Sequence, residues 1–414
     1  MKKTITTLVF LLICGWVSAA FDGGDGTSGN PYQVSTAAQL NDVRNFLSSY
    51  FIQTADIDLI AFTTGEGWVP IGNSTTKFTG NYDGSEHKIK HLYIYRITST
   101  GDYSGLFGWI NGATIKNLGV ECNISGNSNT GGLAGEADLS TIQNCYTTGF
   151  IKGYNTTGGL FGGINIPNPL GIIGGSISNC YSRVIVSGNY YVGGLVGEAW
   201  RIPFTNCYST GEVLGVGNLG GLAGRSFQCT TVNDCFWDTE TTGRASSAIG
   251  TGKTTAEMKT QATFTNWDFA SIPIWNIDTE NNGYPHFNYQ VFTHNKYYVK
   301  TTGSNSNDGS IWANAFLTLQ KALETARSGD QIWVASGTYQ PSVQVGGTGA
   351  RFATFQMVEG VEIYGGFAGT ESAVSERLGF GMGKANETIL SGDLNGNDNY
   401  SVSPWTGTVS NLMS

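Results

Sequence analysis

The chain has 414 residues, of which only 13% are charged, about half the usual share for soluble proteins, so hydroxyls and amides must carry its solubility. Its 59 glycines and 9 prolines stay below the level that signals disorder, and 40% apolar with 12% aromatic residues supports a packed fold. With 22 basic and 31 acidic residues the net charge is −9, which repels phosphate backbones and argues against a nucleic-acid partner.

Residues 1–20 follow the grammar of a secretory signal peptide: Lys2 and Lys3, an apolar run from Leu8 to Ile13, then Ser18, Ala19 and Ala20. Cleavage is expected near Ala20. The run is shorter than the roughly 18 apolar residues of a membrane anchor, and Ile13 is too bulky to precede a lipidated Cys14. No later stretch is apolar enough to span a bilayer, so the expected location is secreted or on a bacterial surface, with no integral membrane segment. Loss of Lys2 and Lys3 takes the 22 basic residues to 20 against 31 acidic, a net charge of −11.

Residues 21–65 read as an N-terminal cap. Thr36 and Gln39 have capping-box spacing, and Leu40, Val43, Phe46, Leu47 and Tyr50 fall on one helical face. Such a helix would cover the open end of a sheet.

An internal repeat fills residues 66–243. SGLFG at 104 is followed by GGLAG at 131, GGLFG at 158, GGLVG at 193 and GGLAG at 220, with spacings of 27, 27, 35 and 27. Each precedes a second string: IKNLGVECNISG, IQNCYTTGFIKG, ISNCYSRVIVSG, FTNCYSTGEVLG and VNDCFWDTETTG. Leu118, Cys145, Cys180, Cys207 and Cys235 share one slot, Val120, Thr147, Ser182, Ser209 and Trp237 the slot two residues on. That period of two means strand. A unit of about 27 residues cannot offset its own ordering entropy of roughly 1–2 kcal/mol per residue, so the copies must stack as a solenoid. Stacking predicts an aromatic ladder of Tyr146, Tyr181, Tyr208 and Phe236 and an amide ladder of Asn117, Asn144, Asn179 and Asn206 at a left-handed bend. Gly126, Gly153, Gly188, Gly215 and Gly243 are expected to mark a turn with positive φ.

These strings resemble the GLUG-motif repeats of bacterial secreted and surface proteins, some of them surface-anchored IgA-type peptidases, over about residues 66–290. The resemblance implies an all-β fold, a right-handed parallel β-helix. It implies no activity, because in those peptidases the catalytic machinery lies in a separate domain.

Six cysteines follow the leader: 122, 145, 180, 207, 229 and 235. Stacked in-register slots hold Cβ atoms near 4.8 Å, beyond the ~3.5–4.5 Å of a disulfide, which favours a buried thiol ladder. Cys229 with Cys235 is the pair to test first for a bridge. No C-x₂-C pair or neighbouring histidine suggests zinc, and no cofactor is implied.

Residues 244–295 read as a C-terminal cap and linker. A second unit starts near Lys296 and runs to Ser414. FLTLQKALETARSGD places Leu319, Ala322, Leu323 and Ala326 on one helical face with Gly329 as stop, and QIWVASGTY reads as a strand. The stretch through VEIYGGFAGTE and TILSGDLNGNDN resembles the opening of pectate-lyase-like parallel β-helix domains. Because the sequence ends in a turn-rich string without a closing cap, the natural protein is expected to continue.

Other motifs fail on context. GDGTSG at 24–29 follows a leader rather than a strand, and GTGKTT from 250 has Ser247 where a P-loop needs glycine. His87 and His91 have zincin spacing, but Lys88 replaces the catalytic glutamate. Asp393, Asn395 and Asn397 imitate a calcium loop whose glycine and glutamate are replaced by Asp398 and Pro404. Asp330, Glu362 and Asp393 are the acids to watch for lyase or glycosidase chemistry, which needs carboxylates gathered on one face.

From the opening pair to the I-x-N strand the copies take 11, 11, 19, 11 and 12 residues, so length variation is confined to one edge. Such an edge usually marks the binding side of a solenoid. It carries Trp109, Asp138, Asn165, Asn168, Trp200, Arg201 and Phe227. A Trp beside an Arg can stack on a sugar or grip a carboxylate. The expected function is a non-enzymatic adhesin or carbohydrate-binding stalk engaging an extracellular glycan or a host or matrix surface. The alternative is a polysaccharide-degrading enzyme whose active site lies in the C-terminal unit or downstream.

Overall fold

The computed structural model describes residues 21–392 apart from 99–101, 165–173, 230, 271–272, 279, 291–294, 327–328, 344–352 and 359–360. The chain forms two compact units, residues 1–277 with 285–290, and residues 278–284 with 291–414. The leader, Asn165, Asn168 and the Asp393 loop lie outside the described residues.

In the first unit each coil contributes strands to several parallel sheets. One, the bend sheet, orders Tyr32–Val34, Tyr50–Gln53, Asn81–Asp83, Thr114–Lys116, Thr141–Gln143, Ser176–Ser178, Phe204–Thr205 and Val232–Asn233 as successive neighbours. The long sheet stacks Ile57–Asp58, Lys88–Tyr95, Gly119–Ser125, Tyr146–Lys152, Tyr181–Gly188, Tyr208–Ser209, Phe236–Asp238 and Thr251–Lys253. The edge sheet stacks Phe107–Asn111, Ala134–Asp138, Phe161–Ile164, Val196–Trp200 and Ala223–Phe227. Thr147 pairs with Val120 on one side and Ser182 on the other, and Ser182 with Ser209, so like slots lie one above another. This is a parallel β-helix.

Its core is built from columns. Leu106, Leu133, Leu160, Leu195 and Leu222, the leucines of the glycine motif, are all fully buried. On the edge sheet Phe107, Ala134, Phe161, Val196 and Ala223 form a second fully buried column, with Ala134 between two phenylalanines so that large side chains do not meet in successive coils there. The Asn bend is as predicted: Asn117, Asn144, Asn179 and Asn206 have φ of 50–54°, and the Asn144 amide donates to the Asn117 side chain at 2.9 Å, the Asn206 amide to that of Asn179 at 3.2 Å.

Three of the five turn glycines differ from expectation. Gly126, Gly153 and Gly188 do not have positive φ, whereas Gly215 and Gly243 do, at 158° and 64°. The first three are glycine for space: a Cβ on Gly126 would stand 2.4 Å from Thr130 Oγ1, and on Gly153 2.2 Å from Thr157 Oγ1. The threonine four residues further along the same coil, rather than a left-handed backbone, sets the residue at Gly126 and Gly153.

The cysteines are free thiols, Cys229 and Cys235 included. Tyr181 N donates to Cys145 O at 3.1 Å and Tyr208 N to Cys180 O at 3.1 Å, so Cys145, Cys180 and Cys207 stand in file. Each thiol donates to the carbonyl two residues earlier, at 3.3 Å for Cys145, 3.2 Å for Cys180 and 3.3 Å for Cys207. Burial pushes the Cys180, Cys207 and Cys235 thiols well above their ordinary value.

At the start of this unit the helix is Ala37–Asp42, with the Thr36/Gln39 capping box formed and Leu40 and Val43 fully buried. It is shorter than its apolar pattern suggested. A 3₁₀ turn, Val43–Asn45, follows, and Tyr50 opens a strand because pairing with Asn81 replaces helical bonding.

Residues 254–277 and 285–290 do more than close the end. The outward aromatics of the long sheet stack as a ladder, Tyr146 on Tyr181 at 5.1 Å and Tyr181 on Tyr208 at 4.9 Å, with rings within 9° of parallel. Trp267 lies against Tyr208, Trp275 against Tyr208 and Tyr181, and Phe287 against Tyr181 and Tyr146. The Tyr208 hydroxyl donates to Pro285 O, and Gln290 bonds the Tyr181 hydroxyl. This strap leaves Tyr181 and Tyr208 at most 1% exposed.

In the second unit Lys296–Val299, Gln331–Ala335 and Glu362–Phe367 form a parallel sheet, and Gly337–Tyr339 pairs in parallel with Thr388–Leu390. The helix Leu319–Thr325, capped by Thr318, buries Leu319, Ala322, Leu323 and Ala326 beside Val299, Ile332 and Val334. The burial follows the apolar spacing of the sequence.

Candidate binding edge

The edge residues sit on or just past the strands of the edge sheet. Four of these five strands turn sharply: Gly112, Leu139, Arg201 and Gln228 follow them with φ between 49° and 64°. Two outward rows run along the solenoid. Trp109, Glu136, Gly163, Glu198 and Arg225 are in register in one, and the other pairs Asn111 with Asp138 and Trp200 with Phe227.

At one end, Trp109 Nε1 donates to Asp138 Oδ2 at 2.8 Å, Tyr103 stacks on the indole at 4.6 Å, and the Lys77 ammonium lies 4.0 Å above it. Lys77 also approaches Asp138 at 3.6 Å. Glu136 is 4% exposed, bonded by Asn129 Nδ2, and its carboxyl lies over the bare backbone of Gly163. Burial, reinforced by the Asp138 charge, pushes its pKa up to about 8, against the pull of Asn129 and Lys77. Glu136 therefore holds its proton near neutral pH.

At the other end, Trp200 packs on Phe227 at 4.7 Å, with the Arg201 guanidinium 5.8 Å from the Phe227 ring. Arg225 lies over Tyr191 at 5.0 Å and Trp200 at 5.8 Å while pairing with Glu198 at 2.9 Å. Arg201 Nε donates to Gln228 Oε1 at 2.6 Å. Phe227 is 38% exposed and the Arg225 side chain 41%. This end offers the exposed Phe227 ring and the half-buried Trp200 ring between two guanidiniums, a surface that suits an apolar ring face bearing anionic or hydroxyl groups.

The structure thus joins Trp109 with Asp138, and Trp200 with Arg201 and Phe227, as two groups on one sheet. Lys77, Tyr103, Glu136, Tyr191, Glu198 and Arg225 escaped the sequence reading. Three of them were findable: Glu136, Glu198 and Arg225 each stand two residues before an edge residue, on the same strand face.

The remaining motifs do not gather. His87 lies 3.6 Å from Asp56 and His91 2.7 Å from Asp58, so each histidine has its own acid. Asp330 is 1% exposed and accepts from Asn295 N at 2.7 Å, whereas Glu362 bonds Gln331 and Tyr364 at the surface. Among the described residues no group of three or more His, Cys, Asp or Glu could hold a metal ion, and no helix is long and apolar enough to cross a membrane.

Residues 188–214, one full coil, match the GLUG motif family. A protein named as a candidate Gly-rich membrane protein of Evansella cellulosilytica is 41% identical over 108 residues, 25% of this chain and 12% of that protein. Halomucin of Haloquadratum walsbyi is 33% identical over 119 residues, 26% of this chain and 1% of that protein. The chain therefore spans only a small part of the length of either relative. A crystal structure of a candidate immunoglobulin A1 protease from Bacteroides ovatus is similar over 66% of this chain and 96% of that one, with a TM-score of 0.51 and 22% identity. That similarity, together with the sheets described above, establishes the fold.

Proposed function

We propose that the chain is a secreted or surface-displayed, non-enzymatic β-helix that binds extracellular glycan at the edge sheet, as an adhesin or a carbohydrate-binding stalk. The observation that carries this reading is the cluster of Trp200, Phe227, Tyr191, Arg201 and Arg225, an exposed Phe227 ring and two half-buried rings flanked by cations on the edge where coil length varies. Trp109 with Lys77 forms a second aromatic–cation pair on the same sheet. In this reading residues 1–20 direct export, the GLUG coils 66–243 present the edge, and the cap 21–65 and segment 244–295 protect the ends. Asn165 and Asn168 are assigned to the same edge by sequence.

A glycan-binding screen of the full chain and of Trp200→Ala tests this. Binding by the wild type that falls at least tenfold in the variant supports it, in keeping with the 1–3 kcal/mol typical of a stacking ring. Absence of binding by the wild type refutes the glycan role. Release of reducing or unsaturated sugars would establish the enzymatic alternative.

A further inference from the structure

The outward side of the long sheet is half covered and half bare. Its first positions lie under the strap, but further along each strand Phe150, Ile185 and Leu214 are 38%, 41% and 38% exposed, and Tyr154, Tyr190 and Val216 at the following turn are 49%, 52% and 84% exposed. Phe150 is in register with Ile185, Leu214 with Ser187, and the Tyr154 and Tyr190 rings meet at 6.0 Å. These six side chains make one strip across three coils. Its bare area is on the order of 600 Å², the upper end of what a monomer leaves exposed. Two such strips together bury about 1,200 Å², the lower bound for a specific interface.

The charges beside the strip indicate what covers it. Lys152 stands in register with Ser187, and Glu212 precedes Val213, the partner of Val186, so it follows Ile185 in the same row. Both are exposed, and among the described residues neither forms an ion pair. They stand two coils apart, about 10 Å along the axis, on opposite sides of the Ile185–Ser187 coil.

We propose that this strip is a self-association surface. Two copies meet face to face about a two-fold axis crossing the Ile185–Ser187 coil, which sets Lys152 against the partner's Glu212 and Glu212 against the partner's Lys152. A two-fold contact uses the same patch twice, so one cation and one anion placed symmetrically about its centre are self-complementary. The aliphatic content of Ile185, Leu214 and Val216 suits a protein face rather than a sugar. The edge sheet is separate from this surface, so glycan binding and association can be scored independently.

Sedimentation of the full chain up to about 100 µM tests the proposal, with far-UV circular dichroism to confirm folding. The expected result is a concentration-dependent dimer. Lys152→Glu and Glu212→Lys should each weaken it at least tenfold, and the double exchange K152E/E212K should restore it to within about threefold. A wild type that stays monomeric throughout, including one that instead captures another apolar partner, overturns the proposal. A double exchange that fails to restore the dimer also overturns it.

Discussion

Glu136 makes the fold sensitive to pH in a direction opposite to most carboxylates. Its native pKa is about 8, raised first by burial and then by the Asp138 charge, against an ordinary value of 4.5. Between those values the folded chain keeps a proton that the unfolded chain has lost. Stability from this group is therefore fully present below about pH 4.5 and is lost as pH rises toward 8. Each unit across that window removes about 1.4 kcal/mol, on the order of 5 kcal/mol in all. Glu136→Gln carries the neutral form at every pH, and its amide oxygen still accepts the bond from Asn129. Urea unfolding at about pH 5, 6.5 and 8 should show the variant close to wild type at the lowest pH and progressively more stable above it, by several kcal/mol at the highest. A gap between the two proteins that stays constant across the range would refute the assignment of a buried, protonated Glu136.

Three further outcomes follow from the packing. Trp275→Ala uncovers Tyr181 and Tyr208 and should cost about 3–5 kcal/mol, read by chemical denaturation, with increased quenching of tyrosine fluorescence; unchanged stability would mean the strap is not docked. Gly162→Ala should cost at least about 1–3 kcal/mol, because its Cβ would lie 2.3 Å from Thr130 N in the preceding coil, whereas Gly29→Ala, which meets nothing within 4 Å, should be close to neutral. Alkylation of the native chain should modify Cys229 first, since it is only partly buried, and reach Cys145, Cys180, Cys207 and Cys235 only after unfolding; equal rates for all of them would contradict the thiol file.

The sequence by itself determined the coils. Repetition at 27 residues with apolar residues at every second slot leaves one stacking register, so the leucine column, the cysteine file and the left-handed Asn bend could be read from the letters. The helix of the cap was legible in its Thr36/Gln39 box and overestimated in length, because helical periodicity does not reveal that Tyr50 will find a strand partner in Asn81. Gly126, Gly153 and Gly188 were read as conformational and proved to be spatial, because glycine there leaves room for the side chains of Thr130, Thr157 and Val192, four residues on, whereas Gly215 and Gly243 kept the positive φ expected of them. At the edge, Trp200, Arg201 and Phe227 were legible as the variable side, whereas Arg225 and Glu198 acquired meaning only once register placed them in one row. The strap was decided wholly by tertiary structure. Gln290 reaches Tyr181 across 109 residues, and a single aperiodic segment carries no pattern to announce which face it will cover. Repeats fix what lies along the axis because every coil sees the same neighbours, while what covers the outside depends on contacts made once.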